Sequence, residues 1–458
     1  MIKIKTANKE VNFISLILFA LLAFFTWYFE VKEVYNVILY SVILILLAIF
    51  RFSNSTLVIF TIFTIAANRN PNFLETLNGI YNNIFGKNII ALSKYYTFLY
   101  SAVFIVLMFI LVIRAIINKY KYNSKLLIPL LAILIYACIT LFWAKSKVSG
   151  LSEIWFILQG YFVYVLTSND NNKKVDFNKV AWSLALLLVV ITLEYFVSYY
   201  IFFKDLNIDL TFLNFWQYKN KGPINLWANP NIVAAVFGIS FIPSLYKYFS
   251  TKSKLKYLFI PFDLLIIYAI ILTKTTGLHY AFAIGYIFIP FLLIKDKKYL
   301  FITIVAGVLA FIIAITLIIM FQDQVPNIYT FLNEKSTLRL DIYAEAIDSV
   351  TNIWCFIFGR GVGYDRVVLN ASFFHSWFYQ ILVTRGIIGI MLTFYVIYLI
   401  IEIMYNSKNI FRYFLLLGII IYQAHALTDS GFDYQFIGVI HFFLIASLEK
   451  ANGNYIAN

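Results

Sequence analysis

"FISLILFALLAFFTWYF", residues 13–29, runs for seventeen residues without a charge. As an α-helix it would rise about 26 Å at roughly 1.5 Å per residue, close to the ~30 Å hydrocarbon core of a bilayer. Lipid offers no water to backbone N–H and C=O groups, so a stretch of this kind crosses as a helix that satisfies them internally. The run lacks a small-residue cleavage site and further apolar stretches follow it, so it reads as a retained span rather than a signal peptide.

Similar stretches recur to the C-terminus. With the first at 12–29, spans are expected near 34–50, 55–67, 96–117, 126–143, 151–168, 180–203, 231–248, 257–273, 278–294, 299–320, 386–405, 411–428 and 434–449. The expected fold is therefore all-α, a polytopic integral membrane protein with about 12–14 transmembrane helices and a large extracytoplasmic loop bearing amphipathic helices. Composition agrees: 62% of the 458 residues are hydrophobic, 13% are charged, and mean hydropathy is +0.83. No polar block is large enough to be a soluble domain. The formal charge of +14 does not point to nucleic acid, because the basic residues punctuate the spans instead of sharing one soluble face. Two cysteines, Cys138 and Cys355, allow no metal cluster and at most one disulfide.

Orientation follows from the short loops. With a cytoplasmic N-terminus, Lys119, Lys121 and Lys125, then Lys173, Lys174 and Lys179, then Lys247, Lys252, Lys254 and Lys256, then Lys295, Lys297 and Lys298 all fall inside. Segments 68–95, 204–230 and 321–385 then face outward. The chain divides into N-terminal helices (1–225), central helices (226–320), the large outer loop (321–385) and C-terminal helices (386–458).

In the outer loop, "STLRLDIYAEAIDSV" (336–350) puts Leu338, Ile342, Ala346 and Ile347 on one helical stripe, which predicts a short amphipathic helix with Ser336 as its N-cap. "FGRGVGYD" (358–365) follows as a Gly-rich turn, and "FFHSWFYQILVTRGIIGI" (373–390) leads into the next span. Arg339, Arg360, Arg366 and Arg385 are half of the eight arginines in the chain and share this segment. Arginine grips phosphate oxygens bidentately and keeps its charge, so a pyrophosphate is a natural ligand. The competing role for each is pairing with Asp341, Glu345, Asp365 or a lipid headgroup. His375 titrates in the neutral range when unperturbed and suits proton transfer from a hydroxyl; a hydrogen-bonded interfacial role is the plainer alternative.

The order of these features resembles the O-antigen ligase and polymerase family: an arginine opening a loop helix, a "GxGY"-like turn, then a histidine followed by "LVTRGIIGI". Upstream, "LWANPNIVAAVFGISFIPSLY" (226–246) resembles that family's Asn-Pro-Asn span entrance, with Asn229 and Asn231, and "ILTKTTGLHYAFAIGY" (271–286) resembles its "T-x-S-R-G" junction. Two departures stand out. Ser376 replaces the usual Asn after the histidine, and Thr275, Thr276 and Gly277 occupy the place of the "S-R-G" arginine, with Lys274 nearby.

The resemblance implies a metal-independent, inverting glycosyl transfer needing no cofactor, on the outer face of the bacterial cytoplasmic membrane. The donor would be a polyprenyl-pyrophosphate-linked oligosaccharide. It implies His375 and Arg339 as catalytic residues, Arg360, Arg385, Arg366 and Lys274 on the pyrophosphate, and Asn229, Asn231, Tyr364 and Asp429 lining the cavity. Membrane lipids and a chain-length regulator or flippase of the same pathway are the implied partners. Within the family the expected activity is a surface-polysaccharide polymerase, of O-antigen or capsule type; the alternative is a ligase that passes the glycan to a lipid core, a wall polymer or a protein. A transporter is the rival from another class, because Glu194 and His441 lie inside spans and an ionisable group at mid-membrane often marks an ion path.

Overall fold

The structure is a computed structural model. It describes residues 11–29, 33–64, 66–67, 98–170, 175–205, 209, 211, 230–273, 275–290, 296–336, 338–368, 374–428 and 435–453. Among them there is no β-strand. In chain order the helices are α1 (Phe13–Tyr28), α2 (Glu33–Ile49), α3 (Asn54–Phe63), α4 (Phe98–Ile117), α5 (Leu127–Thr140), α6 (Lys147–Ser168), α7 (Phe177–Asp205), α8 (Pro230–Ser244), α9 (Lys247–Ser250), α10 (Ile260–Leu272), α11 (Thr276–Phe288) and α12 (Lys297–Met320). Four short helices follow, α13 (Pro326–Lys335), α14 (Arg339–Asp348), α15 (Ile353–Phe358) and α16 (Asp365–Val368), and then α17 (Trp377–Asn406), α18 (Phe411–Ala426) and α19 (Gln435–Gly453). Six of the described helical stretches are long and apolar enough to cross a membrane, and α1, α2, α3, α5 and α18 are shorter apolar helices. Among the described residues each apolar stretch expected from sequence overlaps a helix.

The lysine-bearing connections meet at one end of the bundle. Lys125 donates its backbone N–H to Glu449 at 2.6 Å. Lys297 Nζ lies 2.6 Å from Glu402, and Lys450 lies 3.1 Å from Asp170, which also accepts the Tyr120 hydroxyl at 3.0 Å. From there α12 climbs about 36 Å over its twenty-four residues. The short helices that follow it, beginning with α13, therefore start from the opposite end. Below them sits a second apolar core, separate from the main one, in which Ile312 of α12, Leu340, Tyr343 and Ala346 of α14, and Phe378 and Tyr379 of α17 interlock.

Two local expectations are corrected. Ser336 is not the cap of the loop helix; it is the C-cap of α13, and α14 begins at Arg339 after Leu338 in a left-handed conformation (φ 63°). Asn333 caps α14 instead, its Oδ1 accepting the Leu340 N–H at 3.0 Å and its Nδ2 donating to Asp341 at 2.8 Å. Asp341 also accepts the Tyr329 hydroxyl at 2.6 Å; burial first, and this carboxylate second, push that hydroxyl up to about 12, so it remains a donor at neutral pH. The buried stripe of α14 is Leu340, Tyr343 and Ala346, rotated from the expected one, and Leu338 is exposed because it lies outside the helix.

α17 is two helical segments joined at Gly386, whose backbone (φ 64°, ψ −167°) is not helical. A Cβ there would lie 2.2 Å from the Ile357 carbonyl oxygen, so only glycine admits the close passage of α15. The span expected from 386 begins at this kink. The nine residues before it, Trp377–Arg385, are all buried and lead from the histidine turn into the kink.

Candidate functional site

His375 precedes α17 by two residues. Of the four residues 374–377 it alone is not buried: Phe374, Ser376 and Trp377 turn inward and the histidine is half-exposed. Its backbone is left-handed (φ 47°), a region that non-glycine residues enter seldom. The His375 carbonyl accepts the hydroxyl of Tyr343 at 2.9 Å. Tyr343 lies four residues after Arg339 on α14, which places the two on one helical face. The bond therefore brings the arginine-bearing helix against the histidine turn.

The remaining arginines are held differently. Arg360 donates its backbone N–H to Val383 at 2.7 Å and its Nε to the Ser349 carbonyl at 2.7 Å, and its guanidinium stands 5.8 Å from the centre of the Tyr364 ring. Val383 lies six residues into α17, so the Arg360 turn sits about 9 Å along the helix from its start. Arg385 is engaged by a residue that sequence reasoning did not single out. Its Nη2 lies 3.0 Å from Glu153 Oε1 with both side chains under a tenth exposed, and Glu153 Oε2 accepts the Gly363 N–H at 2.9 Å. One carboxylate thus ties α6, the Gly-rich turn and α17 together. Arg385 pairs with none of the acids expected for it, and an arriving pyrophosphate would have to displace Glu153 to reach it. The turn is threaded tightly at this point, since a Cβ on Gly363 (φ 75°) would lie 2.5 Å from the Gly150 backbone nitrogen.

Two segments singled out in the sequence, and the residue before Asp429, converge on one cavity. It measures about 550 Å³ and lies between α11, α12, α17 and α18, with an almost wholly apolar lining that includes Ile284, Phe311, Ile397 and Ile420. The lining includes Gly277 of the "TKTTG" junction, Thr428 just after α18 and Trp377 of the "FHSW" segment. Gly277 and Thr428 are in close approach: a Cβ on the glycine would come within 2.4 Å of the Thr428 hydroxyl. α8 runs antiparallel to α18, with Gly238 level with Tyr422, and this register brings Asn231, half-buried, to the height of Thr428.

Lys274, Asn229 and Asp429 lie outside the described residues, and Arg366 is placed only by its backbone on α16. Glu194 and His441 are buried within their helices; the His441 ring packs edge-on against Tyr422 at 5.7 Å, as an interhelical contact. Cys138 and Cys355 are both free thiols. Sequence reasoning missed Glu153 although it carried a signal, being an acid two residues inside an expected span. Tyr343 and Trp377 carried none among 34 tyrosines and 8 tryptophans. No family model matches the chain, and neither a curated protein nor a solved structure matches it.

Proposed function

We propose that the protein is a polymerase of surface polysaccharide that transfers polyprenyl-pyrophosphate-linked oligosaccharide repeats onto an acceptor sugar hydroxyl, on the extracytoplasmic face of a bacterial cytoplasmic membrane. The observation that carries the reading is the convergence just described. An apolar cavity of ligand size, between α12 and α17, both long enough to cross a membrane, and the shorter α11 and α18, is lined by Gly277, Thr428 and Trp377, and Trp377 lies two residues from the half-exposed His375. A lipid-linked sugar phosphate is a molecule of that shape: hydrocarbon in the cavity, charge and sugar at its mouth.

In this reading the acceptor oxygen forms a bond to the anomeric carbon of the donor's reducing-end sugar while the bond from that carbon to the phosphate oxygen breaks, with inversion. His375 takes the hydroxyl proton, and polyprenyl pyrophosphate leaves with its electron pair. Arg339 and Arg360 stabilise the charge gathering on the departing pyrophosphate. Arg385 is assigned instead to holding the Arg360 turn through Glu153, and Tyr364 to supporting the Arg360 guanidinium.

Gly307 offers the test. It lines the cavity from α12, and a Cβ there would meet nothing within 4 Å, so a larger side chain can be accommodated at that position. Gly307→Phe is expected to leave folding intact and to lower kcat/KM for the lipid-linked donor about 10-fold or more, measured as polyprenyl pyrophosphate released by purified protein. Unchanged donor consumption would show that the lipid does not enter there.

A further inference from the structure

We infer that Tyr343 is the positioning residue of the reaction, fixing His375 through its backbone; the inference rests on the reading of His375 as the proton acceptor. The His375 backbone is left-handed at φ 47°, a conformation that a residue with a Cβ keeps only when its surroundings impose it. The surroundings here are specific. The Tyr343 hydroxyl donates to the His375 carbonyl at 2.9 Å, and the Tyr343 ring, 3% exposed, stacks on Tyr379 at 4.8 Å and 26°. Tyr379 in turn has its hydroxyl 3.4 Å from that of Thr316 on α12. Phe374 and Trp377 are buried on either side of the turn. The chain is therefore pinned before, at and after His375, and the half-exposed imidazole is directed by a backbone that Tyr343 holds.

The same hydroxyl couples two parts of the site. Arg339 lies one helical turn before Tyr343 on α14, so any slippage of α14 along α17 moves the arginine and releases the histidine together. A proton acceptor and a phosphate-binding cation need a fixed separation, because misplacement by about 1 Å costs as much as 10²-fold in rate.

Tyr343→Phe deletes the hydroxyl and keeps the stacked, buried ring. With the lipid-linked donor, purified Tyr343→Phe is expected to show kcat lowered about 10- to 100-fold, an unchanged KM and only the small drop in unfolding midpoint that one lost hydrogen bond causes. In a His375→Ala background the same substitution is expected to cause a clearly smaller fractional loss, since there is no imidazole left to position and only the placement of Arg339 remains to be disturbed. Wild-type kcat in Tyr343→Phe, or an equal fractional loss in both backgrounds, would overturn the inference while leaving an inactive His375→Ala to support the reading beneath it. A near-normal rate in His375→Ala itself would remove both together.

Discussion

His375→Ala is expected to lower polymer formation by about 10²- to 10⁴-fold, the range typical of a lost general base, while the protein accumulates in the membrane at its usual level. The second half of that expectation comes from the placement of the residue. Phe374, Ser376 and Trp377 are buried and the histidine is half-exposed, so truncating it removes little packing. The left-handed backbone adds that His375→Gly should fold at least as well, because glycine occupies φ 47° without strain, and should be equally inactive. The measurement is product formed per quantity of membrane-inserted protein; near-normal product from either variant would make the histidine an interfacial residue.

Glu153→Ala is expected to be the most destabilising single change at this end of the protein, by about 3–5 kcal/mol, because it leaves the Arg385 guanidinium buried without its carboxylate. It also strips the Gly363 N–H of its acceptor, in a turn that passes against the Gly150 backbone. The unfolding midpoint in detergent reads the effect. Replacing both charges, Glu153→Leu with Arg385→Met, is expected to recover much of the loss, since a buried ion pair contributes little over well-packed apolar residues. A single variant as stable as wild type would mean that Arg385 does not depend on Glu153, and the account of the Arg360 turn would fail with it.

How far the chain was legible depended on the range of the interactions. The apolar helices were readable because backbone hydrogen bonding inside a bilayer depends on length and apolarity, which are local properties; among the described residues each expected stretch overlaps a helix, and six helices are long and apolar enough to cross. The break at Gly386 was half-readable: the expected span began there, yet the buried segment Trp377–Arg385 in front of it showed only once α15 was seen to pass against the glycine. The cap of α14 was misread because the capping side chain, Asn333, comes from the preceding helix through a left-handed Leu338, whereas a sequence reading looks for Ser or Thr next to the first turn. Arg385 was readable as a costly charge, but its partner is 232 residues away in sequence. The sharing of one cavity by Gly277, Thr428 and Trp377 is likewise a property of helix packing that no spacing along the chain encodes.

The central claim is that the protein consumes a lipid-linked glycan and extends it, and one measurement bears on that claim most directly. Purified protein is given a polyprenyl-pyrophosphate oligosaccharide as the only glycan, with no core lipid, wall polymer or protein present. The account predicts a ladder of lipid-linked multimers spaced by one repeat, with polyprenyl pyrophosphate released in step. A donor consumed only after a separate acceptor is added would identify a ligase. A donor left intact under every acceptor condition, with or without movement of a solute across the vesicle, would contradict the account.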